Sequence, residues 1–113
     1  MINESRRAPR RNVAQSTPVL DTMTDTVVGH LGNLSESGML LLAGTELHED
    51  ALYQFRFQLD DGGPPLSAGV HLLWLGAANT PGQSWCGFRF LSIADSERMR
   101  IRAWVEAGQT AAH

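Results

Sequence analysis

The sequence predicts a mainly β domain, a small closed barrel or sandwich of roughly six strands capped by one C-terminal helix. Three observations predict it. Short β-branched and aromatic runs recur along the chain, with Gly, Pro, Asn and Asp clusters between them. One run, Tyr53-Gln54-Phe55-Arg56-Phe57-Gln58-Leu59, alternates strictly and puts its aromatic rings on one face. A helical period appears only after Asp95. With 113 residues, 42% of them hydrophobic and 19% charged, the chain supports one core and not two. Closure suits so small a sheet because it removes exposed edges.

Taken in order, the first eleven residues lack apolar periodicity and are expected to be a mobile arm. Residues 1–12 are therefore assigned to the arm and residues 13–113 to the barrel and helix. A first strand is predicted over 13–20, with Pro18 marking an edge or bulge. A β-branched run over 26–30 forms the second, closed by Gly32 and Asn33 as a turn signal. Apolar residues 39–43 form the third, and the alternating segment 53–59 the fourth. Asp60-Asp61-Gly62-Gly63-Pro64-Pro65 is a loop, its two acids solvated.

Strands over 66–75 and 84–90 complete the set. The register slips near Gly87, which implies a bulge or a close backbone approach. A helix is then expected over 96–107, with Asp95 as its N-cap and Gly108 as its stop. Ile101, Trp104 and Val105 share the face that packs on the barrel.

Charge is distributed unevenly. Residues 1–11 hold Arg6, Arg7, Arg10 and Arg11 against Glu4, a net +3, while the rest carries −6. A basic arm on an acidic body argues against DNA or RNA as partner, since those need a broad basic surface. It suits a small anionic ligand held locally. The longest apolar run, 39–43, is too short to span a bilayer, and no secretory h-region precedes it. The lone Cys86 permits no intrachain disulfide and reads as a small buried hydrophobe, in keeping with the cytoplasm. His30, His48, His71 and His113 lack metal-ligand spacing, and no Ser-His-Asp set, P-loop or carboxylate pair is present. Neither an enzyme nor a bound cofactor is expected.

Two motifs remain. Arg6-Arg7-Ala8-Pro9-Arg10-Arg11 satisfies Arg-x-x-x-Arg in two registers, Arg6 with Arg10 and Arg7 with Arg11. Further on, Asn33-Leu34-Ser35-Glu36-Ser37-Gly38 satisfies Asp/Asn-x-Ser-x-x-Gly. Alone, the first reads as a solvated basic tail and the second as an ordinary turn. Together, in this order, and followed by Trp85-Cys86-Gly87-Phe88-Arg89-Phe90 and the helix, they resemble the PilZ domain family over nearly the whole chain. The resemblance implies a six-stranded antiparallel β-barrel with a C-terminal α-helix that binds the bacterial second messenger cyclic di-GMP.

The chemistry agrees with that implication. A guanidinium fork matches both phosphate oxygens and the guanine O6/N7 edge, which a lysine does not. Asn33 and Ser35 are expected on one side of a strand-like segment, where short side chains hydrogen-bond the ligand. Gly38 allows a positive φ or a close backbone approach. The family often has an aspartate at the position of Asn33, so weaker charge assistance is expected here. Trp74 is expected to stack on the ligand.

The expected ligand residues are thus Arg6, Arg7, Arg10, Arg11, Asn33, Ser35, Gly38 and Trp74. With no second domain, the signal is expected to pass to an effector protein through reordering of the arm. The competing reading is a PilZ-fold adaptor that acts by protein contact without nucleotide.

Overall fold

A computed structural model of the chain describes residues 8–111. In chain order the elements are β1 (Arg11–Asn12), β2 (Pro18–Asp21), β3 (Thr26–Leu34), β4 (Gly38–Ala43), β5 (Leu52–Phe57), β6 (Leu66–Ala77), β7 (Ser84–Ser92) and α1 (Asp95–Ala111). Neighbouring strands run β3-β2-β5-β6-β7-β4, and β4 pairs back onto β3, so six antiparallel strands close a barrel. This is the architecture expected from the motifs.

The expected first strand is divided in two. β1 and β2 lie in succession along the same edge of β3: Arg11 and Asn12 pair with Leu34 and Asn33, and Pro18 pairs with His30. Backbone bonds from Val13 to the Gly32 carbonyl and from Leu31 to the Thr17 carbonyl flank the break. Residues 14–16 loop outward, and Pro18 stands first in its strand, where its missing N–H matters least. Strand structure thus starts at Arg11, inside the stretch assigned to the arm.

Alternation along the strands fills the interior. In β5 and just beyond, Phe55, Phe57 and Leu59 are buried, while Leu52, Gln54 and Arg56 face solvent. Leu66, Ala68, Val70 and Leu72 of β6, Met39, Leu41 and Ala43 of β4, and Cys86 and Phe88 of β7 meet them. Phe55 and Phe88 pack edge-on, with ring centroids 5.1 Å apart, a geometry that aligns the positive ring edge with a negative face.

Two register shifts aim the outer face. One falls between Leu31 and Asn33 in the β3–β4 pair. Gly32 and Asn33 therefore do not form the expected turn; they continue the strand through a bulge. The extra residue lets Leu31 and Leu34 both point inward while Asn33 points out. The other lies between Leu72 and Trp74 opposite β7, with Leu73 as the surplus residue. After it Trp74 lies on the outer face, 46% exposed. The slip expected near Gly87 thus falls on the strand facing it.

The helix buries Ile101, Trp104 and Val105, as its apolar period requires. Its N-terminus differs by one residue from expectation. The Ala94 carbonyl accepts from Glu97 and Arg98, so Ala94 is the cap, and Asp95 lies inside the first turn, facing the positive end of the helix dipole. Gly108 does not end the helix, which continues to Ala111. The 60–61 acids are not simply solvated either. Arg100 grips Asp61 through Nε (3.0 Å) and Nη2 (2.7 Å) and donates to the Pro64 carbonyl (2.9 Å). Trp104 Nε1 donates to Asp60 at 2.6 Å. The β5–β6 loop thus straps the helix to the barrel. No helix among the described residues is long and apolar enough to cross a membrane.

Candidate functional site

The turn between β3 and β4 is built on Ser35. Its backbone N–H donates to the Gly38 carbonyl (2.9 Å), leaving only Glu36 and Ser37 as the loop. Neither loop residue takes a positive φ, so this turn is not the mirror-image type that two-residue hairpins favour. The Ser35 hydroxyl compensates by accepting from the N–H groups of Ser37 (3.2 Å) and Gly38 (3.1 Å). That side chain is fully buried. The expected common face of Asn33 and Ser35 is therefore absent: β3 ends at Leu34, and the period of two ends with it.

Gly38 meets the second of its two expected uses. Its φ is not positive, but a Cβ there would overlap the Phe88 carbonyl of β7. Glycine is needed because two backbones pass too closely for a side chain.

Asn33 belongs to a row that crosses four strands of the outer face. Asn33 pairs with Leu40, Leu40 with Gly87, and Gly87 with Trp74. Three strand spacings separate the ends of this row, roughly 14 Å. The Trp74 indole shortens the gap by lying across Gly87, where any Cβ would collide with the ring. Arg10 closes the other end, its Nη1 donating to Asn33 Oδ1 at 2.7 Å. Arg10, Asn33, Met39, Leu40, Trp74 and Gly87 line a shallow pocket of about 160 Å³. It has a guanidinium and an amide at one end, an indole at the other and an aliphatic floor.

Arg11 points elsewhere. It follows Arg10 in an extended segment, so the two side chains leave the backbone on opposite sides. Its Nη1 donates to the Trp104 carbonyl at 2.7 Å, and its guanidinium carbon lies 4.2 Å from the centre of the Trp104 ring. Of the expected ligand residues, the fold gathers Arg10, Asn33 and Trp74 in one pocket. Ser35 and Gly38 shape the adjoining turn, and the Arg11 side chain lies against Trp104 of the helix. Arg6 and Arg7 lie outside the described residues. Sequence reasoning overlooked Leu40 and the role of Gly87 as the seat for Trp74. The irregular register at Gly87 was the available signal.

Cys86 stands one residue from this surface with its side chain inward. It is fully buried, and burial pushes its thiol up to about 11, which leaves it protonated and unreactive.

Comparison with known structures places this architecture among others. The inhibitor of motility MotI/DgrA of Bacillus subtilis has a similar fold, with a TM-score of 0.80 at 9% identity over 99% of this chain and 54% of that one. YcgR of Escherichia coli, solved in complex with c-di-GMP, aligns with a TM-score of 0.77 at 19% identity over 95% of this chain and 47% of its own. This chain thus spans about half the length of those two proteins. The isolated YcgR PilZ domain with c-di-GMP gives a TM-score of 0.72 at 17% identity, covering 96% of this chain and 95% of that one. Curated proteins yielded no significant match. The PilZ domain model matches residues 4–107, nearly the full length, and the chain belongs to the PilZ domain family.

Proposed function

We propose that this domain is a receptor for cyclic di-GMP, held at the outer-face pocket between Arg10, Asn33 and Trp74. The observation that carries the reading is the 2.7 Å bond from Arg10 to Asn33, which joins the two sequence motifs at one point. Family membership and the c-di-GMP complexes of YcgR support it.

The chemistry of the pocket fits the ligand. Cyclic di-GMP brings two phosphates and two guanines. Arg10 offers a fork for a phosphate or for guanine O6/N7. Asn33 keeps an amide donor pair and a second carbonyl lone pair beyond the one Arg10 uses. Trp74 offers a π-face to a base. The pocket, at about 160 Å³, is well below the roughly 300 Å³ at which drug-sized sites begin. It takes one base, and the rest of the nucleotide must be covered by the arm, with Arg6 and Arg7 as the further cations. Folding an arm over a nucleotide costs conformational entropy, so moderate affinity is expected. The rearranged arm then presents a changed surface to an effector protein.

Calorimetric titration of the protein with cyclic di-GMP tests the reading and reports whether one nucleotide or an intercalated pair binds. Binding that weakens in both Arg7→Ala and Arg10→Ala supports it. No heat at millimolar nucleotide would overturn it in favour of the nucleotide-independent adaptor.

A further inference from the structure

Arg11 sits in a receptacle that the sequence motifs do not account for. The Trp104 ring lies under its guanidinium at 4.2 Å, and the Trp104 carbonyl accepts from Nη1 at 2.7 Å. Gly108, one turn further along α1, supplies the space: a Cβ there would overlap Arg11 Cδ and Nε. A glycine inside a helix is otherwise disfavoured, and this one neither takes a positive φ nor ends the helix. Its structural use is to admit the Arg11 stem.

We propose that the Trp104–Gly108 face of α1 is an intramolecular guanidinium site that holds Arg11 in the free protein and competes with the nucleotide for it. The nucleotide half of this proposal rests on the function proposed above. Arg11 completes the Arg7–Arg11 register, yet it projects to the side of the arm opposite Arg10 and the pocket. One guanidinium does not serve both places, so recruitment to nucleotide phosphate requires release from the helix. Release strips α1 of the cation over Trp104 and of a donor to its backbone, and so carries ligand binding to the helix. The ligand-motif turn touches the same helix, through Glu36 and Arg102 at 4.0 Å.

Gly108→Ala separates the receptacle from the arginine, because the added methyl expels a flexible side chain and leaves every arm residue in place. Two measurements on the full chain decide the matter. In limited trypsin digestion without nucleotide, cleavage of the Arg11–Asn12 bond should be several-fold faster in Gly108→Ala than in wild type. In calorimetry, Gly108→Ala should bind cyclic di-GMP roughly three- to thirtyfold more tightly, the worth of a half-exposed cation–π contact with its hydrogen bond. The gain should vanish in the Arg11→Ala background, as a double-mutant cycle requires if the effect runs through Arg11.

Equal cleavage rates overturn the docking. Faster cleavage with unchanged or weaker affinity overturns the competition, and so does a gain that persists without Arg11, which would reflect helix propensity alone. If neither wild type nor Gly108→Ala binds nucleotide, the receptor reading falls and takes the competition with it. The cleavage rates then still decide the docking.

Discussion

Arg10 donates to Asn33 across 2.7 Å, and this contact joins the Arg-x-x-x-Arg and Asn-x-Ser-x-x-Gly motifs at one point. β1 pairs Asn12 with Asn33, which brings Arg10 beside the second motif. Arg10 is largely exposed and donates to Asn33, so its loss should cost about 1 kcal/mol of stability or less. A charge-assisted contact is worth about 1.5–3 kcal/mol, so Arg10→Ala should weaken cyclic di-GMP binding roughly ten- to a hundredfold. Arg10→Lys should restore only part of it, because an ammonium lacks the planar fork. Calorimetry together with urea denaturation checks both halves.

Trp74 and Gly87 act as a pair, since the ring lies where the glycine has no side chain. Base stacking on an aromatic is worth about 1–3 kcal/mol, so Trp74→Ala should cost roughly five- to a hundredfold in affinity. Gly87→Ala should weaken binding in the same direction with Trp74 intact, by lifting the indole off the sheet. A changed near-ultraviolet circular dichroism signal with unchanged far-ultraviolet signal would report that displacement. Full affinity in Gly87→Ala would show that the seat is unimportant.

Ser35 is expected to act on folding before it acts on ligand. Its hydroxyl accepts from two backbone N–H groups in a fully buried turn. Ser35→Ala leaves the Gly38 and Ser37 donors without that acceptor, at a cost of about 1–3 kcal/mol. Urea denaturation should show a lower midpoint at unchanged slope. An unchanged midpoint would show that the turn does not depend on this hydroxyl.

The loop strap carries an acid-dependent contribution. The hydrogen bonds from Arg100 hold the Asp61 carboxyl below its ordinary 3.8, against a smaller opposing effect of burial. A carboxyl depressed on folding stabilises the protein above its unfolded value, and that contribution is lost as pH falls through the folded value. Urea midpoints of wild type and Asp61→Asn should therefore differ at pH 7 and converge as the pH drops well below 3.8. A constant difference down to pH 2 would detach the effect from this carboxyl.

Much of the molecule was legible in the sequence because it rests on local rules. The alternation of Tyr53 to Leu59 announced a half-buried strand, and the spacing of Ile101, Trp104 and Val105 announced a packed helical face. The Arg-x-x-x-Arg and Asn-x-Ser-x-x-Gly motifs carried the family. Where competing local signals met, sequence reasoning failed. Gly32-Asn33 has turn composition, yet pairing on both edges of β3 holds it as a bulged strand. Gly108 has the chemistry of a helix stop, yet it serves as the seat of Arg11.

Composition and period by themselves determined a small closed β-barrel or sandwich with a terminal helix, and the two motifs added the resemblance that chose the barrel. Tertiary structure alone decided which side chains face one another. Two bulges, at Gly32 and Leu73, turn Asn33 and Trp74 to the same outer face, and a strand offset of one residue reverses every side chain beyond it. That reversal depends on hydrogen bonds to partners far away in sequence. For the same reason the arm's two neighbouring arginines, identical in the motif, come to lie at different sites.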